Sequence, residues 1–206
     1  GYSDGGQHSQ TLWGTFAHMP GMKVVIPSNP YDAKGLMIAA IRDDNPVVYM
    51  FHKGVLGLGW MTNNARATGV VPEEPYEVPI GKLDVAREGT DLTIVTVGLS
   101  VHKALDAAAA LEEKGVSAEV LDLRSLVPLD RDGIIASVQK THRLLVVDED
   151  YHSFGMSGEV VTTVIEGAFD YLDAPPVRVT TPDIPIPYSR PLEQWALPSM
   201  ERIVEA

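Results

Sequence analysis

The chain of 206 residues contains no cysteine, which excludes disulfides, thiolate metal sites and cysteine nucleophiles. That absence fits a reducing compartment, and the cytoplasm is the expected location. Basic residues are scarce, 16 Lys and Arg against 28 Asp and Glu, for a formal charge of −12. Such a chain repels phosphate backbones and carries no basic stripe, so nucleic acid is not an expected partner. An acidic surface serves solubility or attracts a basic protein partner. No apolar run approaches the roughly 18 residues that cross a bilayer, and no basic segment with an apolar core opens the chain. No membrane association is therefore expected. Neither a G-x-G-x-x-G after a strand nor a G-x-x-x-x-G-K-[ST] occurs, which gives no support to a Rossmann site or a P-loop. No two of the six histidines stand at metal-ligand spacing with a third ligand nearby.

What is present is globular, 45% hydrophobic and 21% charged, enough for one large domain or two small ones. The sequence begins at Gly1 and reaches the turn-like Gly5-Gly6 almost at once, so it reads as if cut within a domain. After GGQHSQ, Leu12, Trp13, Phe16 and Ala17 recur at helical spacing until Pro20-Gly21. KVVIP predicts a strand buried on both faces. Ser28-Asn29-Pro30 caps the next helix, with Asp32 in its first turn and an apolar stripe from Ala33 to Ile41, and VVYMF is a second buried strand. Residues 54–80, rich in glycine and then proline, predict a linker between residues 1–53 and 81–206. In the latter, LTIVTVG, SAEVLDLRSL, RLLVVDED and VRVT predict four strands separated by three helices, the first capped by Ser100. That order predicts an α/β fold with a mostly parallel sheet flanked by helices on both faces. Ligands of such sheets bind at the carboxyl ends of the strands, which nominates residues 98–100, 123–130 and 148–158.

For His18, His102 and His142 a solvated or helix-end place is expected, and His52 and His152 fall in loops near strand ends. The acidic clusters Asp148-Glu149-Asp150 and Glu73-Glu74 read as solvated surface. His8 stands just ahead of a predicted helix N-terminus, where the dipole disfavours an imidazolium. A neutral ring there can both donate and accept, with Gln7, Ser9 and Gln10 to fix its tautomer. Local physics leaves two readings level: His8 does chemistry, or it only precedes a helix that Ser9 caps. The end of the following helix, residues 40–45, likewise offers partner-less carbonyls to a cation or to an ordinary cap.

The ordered motifs GGQHSQ, HMPGMKVVIPSNPYDAKGLMIAAIRDDNPVVYMFHK, VPEEPYEVPIGK, LDLRSLVPLD, RVTTPDIPIPYS and PLEQWALPSMERIVEA resemble one family over nearly the whole chain. It is the β subunit of the thiamine-diphosphate-dependent decarboxylating component of 2-oxoacid dehydrogenase complexes, the pyruvate, branched-chain 2-oxoacid and acetoin types included. The resemblance implies part of a transketolase-like pyrimidine-binding domain followed by a transketolase C-terminal domain. It implies thiamine diphosphate and magnesium as cofactors, an α subunit as partner in a heterotetramer, and a lipoyl acyltransferase. The glutamate that contacts the cofactor's aminopyrimidine would lie upstream of this sequence and the metal-diphosphate motif in the α subunit, so the chain by itself is expected to be inactive, or to act as an assembly and docking module. His8 falls at the family's active-site histidine, facing thiazolium and substrate. Ala40, Ile41, Asp43 and Asn45 fall where some relatives hold a structural potassium ion. GGQHSQ followed by KVVIPSNPYDAKGL argues against a transketolase proper, and HKGVLGLGWMTNNARATGV departs from the family pattern. A soluble cytoplasmic protein is implied, or a mitochondrial matrix protein in a eukaryote.

Overall fold

The computed structural model describes residues 5–56 and 67–206. GGQHSQ is not a turn: Gly5–Ser9 form a helical turn (α1), entered through Gly5 at φ +78, and Trp13–Ala17 form the short α2. The strand β1 (Lys23–Val25) has Val24 and Val25 fully buried, as its unbroken apolar run demands. In the helix α3 (Pro30–Arg42), Asn29 accepts the Asp32 N–H at 2.9 Å and Pro30 occupies the first position. The next strand, β2 (Val47–Tyr49), pairs in parallel with β1 and is half-buried rather than buried, because it forms the edge of its sheet. His52 then caps a single 3-10 turn, Lys53–Val55.

Residues 72–78 lie against α3. Tyr76 stacks on Tyr31 with ring centroids 4.4 Å apart, and Val78 joins Val25 and Leu36 in a small apolar cluster. Gly35 permits this, since a Cβ there would meet Val78 Cγ2 at 2.5 Å. Of the segment that departs from the family pattern, residues 57–66 lie outside the described residues.

The remaining strands are β3 (Asp84–Arg87), β4 (Leu92–Thr96), β5 (Ala118–Asp122), β6 (Ser125–Val127), β7 (Leu144–Tyr151) and β8 (Val177–Thr181). Five of them form one sheet in the order β3-β5-β4-β7-β8, parallel except for β3. Sequence reading anticipated four strands there; β3 was missed because it is a short edge strand carrying Asp84 and Arg87. Successive side chains of these strands point to opposite faces. Ile94, Val120, Leu145 and Val147 meet α4 (Leu99–Glu112) and α8 (Met200–Glu205) on one side. Val95, Leu121, Leu144 and Val146 meet α5 (Arg131–Thr141) and α6 (Met156–Ala168) on the other. Each fully buried aliphatic side chain contributes about 1.5–3 kcal/mol. Between α6 and α8 the chain also forms α7 (Arg190–Ala196). Gly98, not Ser100, caps α4; Ser100 lies inside the helix and is buried. No described helix is long and apolar enough to cross a membrane.

The stretch SAEVLDLRSL is not one strand. It breaks at Leu123-Arg124, where Arg124 takes a left-handed φ of 58, and β6 then pairs antiparallel with β1 in the first sheet, whose order is β2-β1-β6. The same Arg124 reaches back to the buried Asp32 at 2.7 and 2.9 Å. One segment of the second half thus completes the sheet of the first.

Candidate functional site

The carboxyl ends of β4, β5 and β7 do not open to solvent. The first half of the chain covers them, and the groups at the contact are polar and buried. Ser28 Oγ donates to Asp122 Oδ2 at 2.5 Å, and the Ser28 carbonyl lies 2.7 Å from His102 Nε2. Trp13 Nε1 donates to Asp148 Oδ1 at 3.1 Å, and the Gly14 N–H donates to Asp150 Oδ2 at 3.2 Å. His52 Nε2 lies 2.8 Å from Glu149 Oε2, whose other oxygen takes Lys103 Nζ at 2.7 Å.

Two expectations are corrected here. The triplet Asp148-Glu149-Asp150 is not solvated surface: its residues are 0, 2 and 6% exposed, because β7 ends beneath α2 and the His52 turn. His102 is likewise buried, packed under residue 28. His18 and His142 do sit exposed at helix ends.

Burial sets the electrostatics. It pushes the carboxyls of Asp122 and Asp148 up to about 7 each, and raises that of Asp150. Burial pulls Glu149 the same way, but the charge of Lys103 and the His52 hydrogen bond are among the contacts that win, so its carboxyl lies well below the usual range. Burial holds the His52 imidazole below its usual range, although Glu149 opposes this. Geometry gives the same assignment: Nδ1 of His52 accepts the Gly54 N–H at 3.0 Å, so the ring is neutral and donates from Nε2 to the Glu149 anion.

Beside this layer lies a cavity of about 260 Å³ lined by residues 7–13, Ile26 and residues 50–53. His8 lines it, with Nδ1 2.9 Å from Lys53 Nζ. The ring stands in the last turn of α1, not ahead of a helix N-terminus, so the dipole argument made from sequence has no geometric basis. The cavity falls below the ~300–1,000 Å³ of ligand pockets. Its apolar lining of Trp13, Ile26, Met50 and Phe51, with His8 at hand, suits one ring of a larger cofactor.

Ala40, Ile41, Asp43 and Asn45 gather at the other end of α3 and do not line this cavity. Asp43 caps the helix, accepts the N–H and the side-chain amide of Asn45 at 2.9 Å each, and pairs with Lys23. These contacts hold the Asp43 carboxyl down at about 2. Its charge is already countered, which leaves the helix-end carbonyls and the Asn45 amide oxygen as donors for a monovalent cation. His52, Lys53, Lys103 and Glu149 were not singled out as site residues from sequence. The one available signal was an acidic triplet continuing an apolar strand run, RLLVVDED.

A small α/β unit seated on the strand ends of a larger, mostly parallel sheet, with titratable groups at the seam, defines a two-part α/β protein. Residues 81–203 match the family model "Transketolase, C-terminal domain" and residues 2–57 match "Transketolase, pyrimidine binding domain". The chain belongs to the transketolase C-terminal domain family. It is 46% identical over 204 residues, 99% of its length, to the acetoin:2,6-dichlorophenolindophenol oxidoreductase subunit beta of Bacillus subtilis. It is 48% identical over 198 residues, 96% of its length, to the pyruvate dehydrogenase E1 component subunit beta of the same organism, and 44% over 200 residues, 97% of its length, to the 2-oxoisovalerate dehydrogenase subunit beta. The chain spans 57 to 59% of the length of these relatives. A solved "Split gene transketolase, inactive beta4 tetramer" shares the fold, with a TM-score of 0.75 at 24% identity over 97% of this chain and 61% of that one.

Proposed function

We propose that the chain belongs to the β subunit of a thiamine-diphosphate-dependent 2-oxoacid dehydrogenase, whose overall reaction is oxidative decarboxylation of a 2-oxoacid with reductive acylation of lipoamide. The observation that carries this reading is His8 in a cavity lined by the part that matches the pyrimidine-binding model, beside the buried polar contacts which that part makes with the C-terminal part. When bound, thiamine diphosphate supplies the carbanion equivalent that attacks a 2-oxo group. His8 would donate to the oxygen on which charge develops, and later deliver a proton to the lipoamide sulfur. Trp13, Met50 and Phe51 would exclude water around the ring they contact, which strengthens that donation. The cavity's size matches a cofactor held mostly by other residues, with magnesium and its diphosphate on an α subunit. We assign the α subunit in a heterotetramer, and a lipoyl acyltransferase, as the partners; the charge of −12 favours a basic docking segment on the latter. Potassium, where present, would use the carbonyls of Ala40 and Ile41 with Asn45, beside the Lys23-paired Asp43. A location in the cytoplasm, or in the matrix of a eukaryote, goes with this reading, as do the domain limits 1–53 and 81–206.

The test is reconstitution of the complete subunit with its α subunit, thiamine diphosphate, magnesium and lipoamide. Turnover of pyruvate, a branched-chain 2-oxoacid or acetoin is the expected result, and turnover of none of them overturns the reading. Calorimetry of the chain alone with the acyltransferase's basic domain, at low and high salt, separates the docking role. Heat at low salt that vanishes at high salt supports it, and no heat at low salt refutes it.

A further inference from the structure

Lys53 has no part in the chemistry above, yet it makes the contact that decides how His8 can act. Its Nζ lies 2.9 Å from His8 Nδ1. An ammonium offers three donors and no acceptor, so Nδ1 must accept, and the ring proton is carried on Nε2. The ammonium is held in place by a chain of contacts that runs into the core. Lys53 opens the 3-10 turn, and the ring of His52 caps that turn by accepting the Gly54 N–H at 3.0 Å. With its Nδ1 so used, His52 donates from Nε2 to Glu149 at 2.8 Å. Glu149, on β7 and 2% exposed, takes Lys103 at 2.7 Å, and Lys103 also donates to the Pro198 carbonyl at 3.0 Å. Water does not compete at the buried bonds that His52 makes to Gly54 and Glu149, which fastens the turn to the sheet. Gly54 closes the turn on the ring, since a Cβ there would meet Leu99 Cδ2 at 2.9 Å and His52 Cε1 at 3.1 Å.

We propose that Lys53 is a positioning residue that fixes His8 in the Nε2–H tautomer, with His52, Glu149 and Lys103 as its anchor. The catalytic consequence, a donor rather than a bare lone pair at the reacting oxygen, rests on the function proposed above; the tautomer itself does not. Of the two ring nitrogens, the hydrogen bond made by one decides which proton the other carries. Lys53 makes that bond from the lining of the same cavity, 45 residues along the chain.

The test is two-bond proton–nitrogen correlation NMR of the histidine-labelled chain, with His8 assigned by its loss in His8→Gln. The expected pattern is a single Nε2–H tautomer with a hydrogen-bonded Nδ1. In Lys53→Met the Nδ1 signal should move to its unbonded position and the pattern should average over both tautomers, while Lys53→Arg, which still donates, should restore it. An Nδ1–H pattern in the unaltered chain, or identical spectra for the unaltered chain and Lys53→Met, overturns the proposal. In the assembled enzyme, Lys53→Met should lower kcat by about tenfold or more with KM little changed, the size of loss seen when an orienting partner is removed. If the spectra respond as stated but neither His8→Ala nor Lys53→Met lowers turnover, the functional reading falls and the tautomer assignment stands. If His8→Ala abolishes turnover while the spectra do not respond to Lys53→Met, the reading stands and Lys53 is removed from it.

Discussion

Raising the pH from 5 to 7 should destabilise this fold, and Asp148→Asn should remove a definable part of that loss. Asp148 is fully buried at the end of β7, and burial pushes its carboxyl from the ordinary 3.8 up to about 7. An unfolded aspartate releases its proton near pH 4, whereas the folded protein keeps it until about 7. Between these values the folded state binds one proton more, so stability falls as pH rises. The stabilisation is complete below the unfolded value and gone above the folded one. One such group costs roughly 1 to 2 kcal/mol per pH unit, or roughly 3 kcal/mol across two units.

Other groups overlay this slope. Asp122, also raised to about 7 by burial, adds a second contribution of the same sign. His52, held below the imidazole range by burial, runs the other way: under about pH 6.5 the unfolded state binds the extra proton, so its contribution makes stability rise as pH rises. The difference between the two proteins isolates Asp148. The variant keeps an oxygen for Trp13 Nε1 at 3.1 Å and for the Asp150 N–H at 2.9 Å, but loses the acceptor for the Ser157 N–H at 3.2 Å. That loss costs about 1–3 kcal/mol at any pH. Urea denaturation at pH 5, 6 and 7, followed by tryptophan fluorescence, should show Asp148→Asn clearly weaker at pH 5 and level with or above the unaltered chain at pH 7. Parallel stability curves would refute the assignment of a retained proton to Asp148.

Three further outcomes are expected. His8→Ala should cut turnover of the assembled enzyme by about 10²-fold, the usual contribution of a general acid, with an unchanged urea midpoint; wild-type turnover returns His8 to a purely local role. Gly14→Ala would place a Cβ 2.7 Å from Asp150 Oδ2 and 3.2 Å from the Phe154 carbonyl, and should cost about 1–3 kcal/mol by overpacking; a thermal melt unchanged from the unaltered chain would show that α2 does not press on the strand end. Glu149→Leu leaves Lys103 and His52 without their shared anion and should cost about 3–5 kcal/mol in a urea melt, the penalty for breaking a buried pair from one side; a loss under 1 kcal/mol counts against the anchor.

Much of the layering was legible in the sequence because it depends on local pattern. KVVIP, LTIVT and RLLVV are apolar runs that only a covered sheet accommodates, and Asn29-Pro30 marks a helix start by its own hydrogen bond. The break at Arg124 was not legible, since nothing in an alternating run such as SAEVLDLRSL announces a left-handed residue. β3 offered four residues with charges at both ends, a pattern that fits an edge strand and a surface loop equally well. GGQHSQ carries two glycines, which argue for a turn when read alone; its helical form follows from contacts further on, with Gly6 lying beside the Ile186 carbonyl.

The site was legible only where it resembled something already known, and the reason is physical. Each buried polar contact at the seam has one partner in each half of the chain: Trp13 with Asp148, Ser28 with Asp122, His52 with Glu149, and Arg124 with Asp32, at separations of 92 to 135 residues. A lone aspartate or glutamate in sequence looks solvated because a buried one without its partner would cost several kcal/mol. The partner, not the residue, decides the burial, and the partner is a fact of docking rather than of local pattern. The same asymmetry explains how the seam can be specific. Docking in the wrong register would leave several carboxylates, an imidazole and a guanidinium buried and unpaired together, a penalty far beyond what apolar contact between the halves could offset. The groups misread as solvent-facing are therefore those that hold the two halves in one relative position, and through Glu149 and His52 they fasten the turn that carries Lys53.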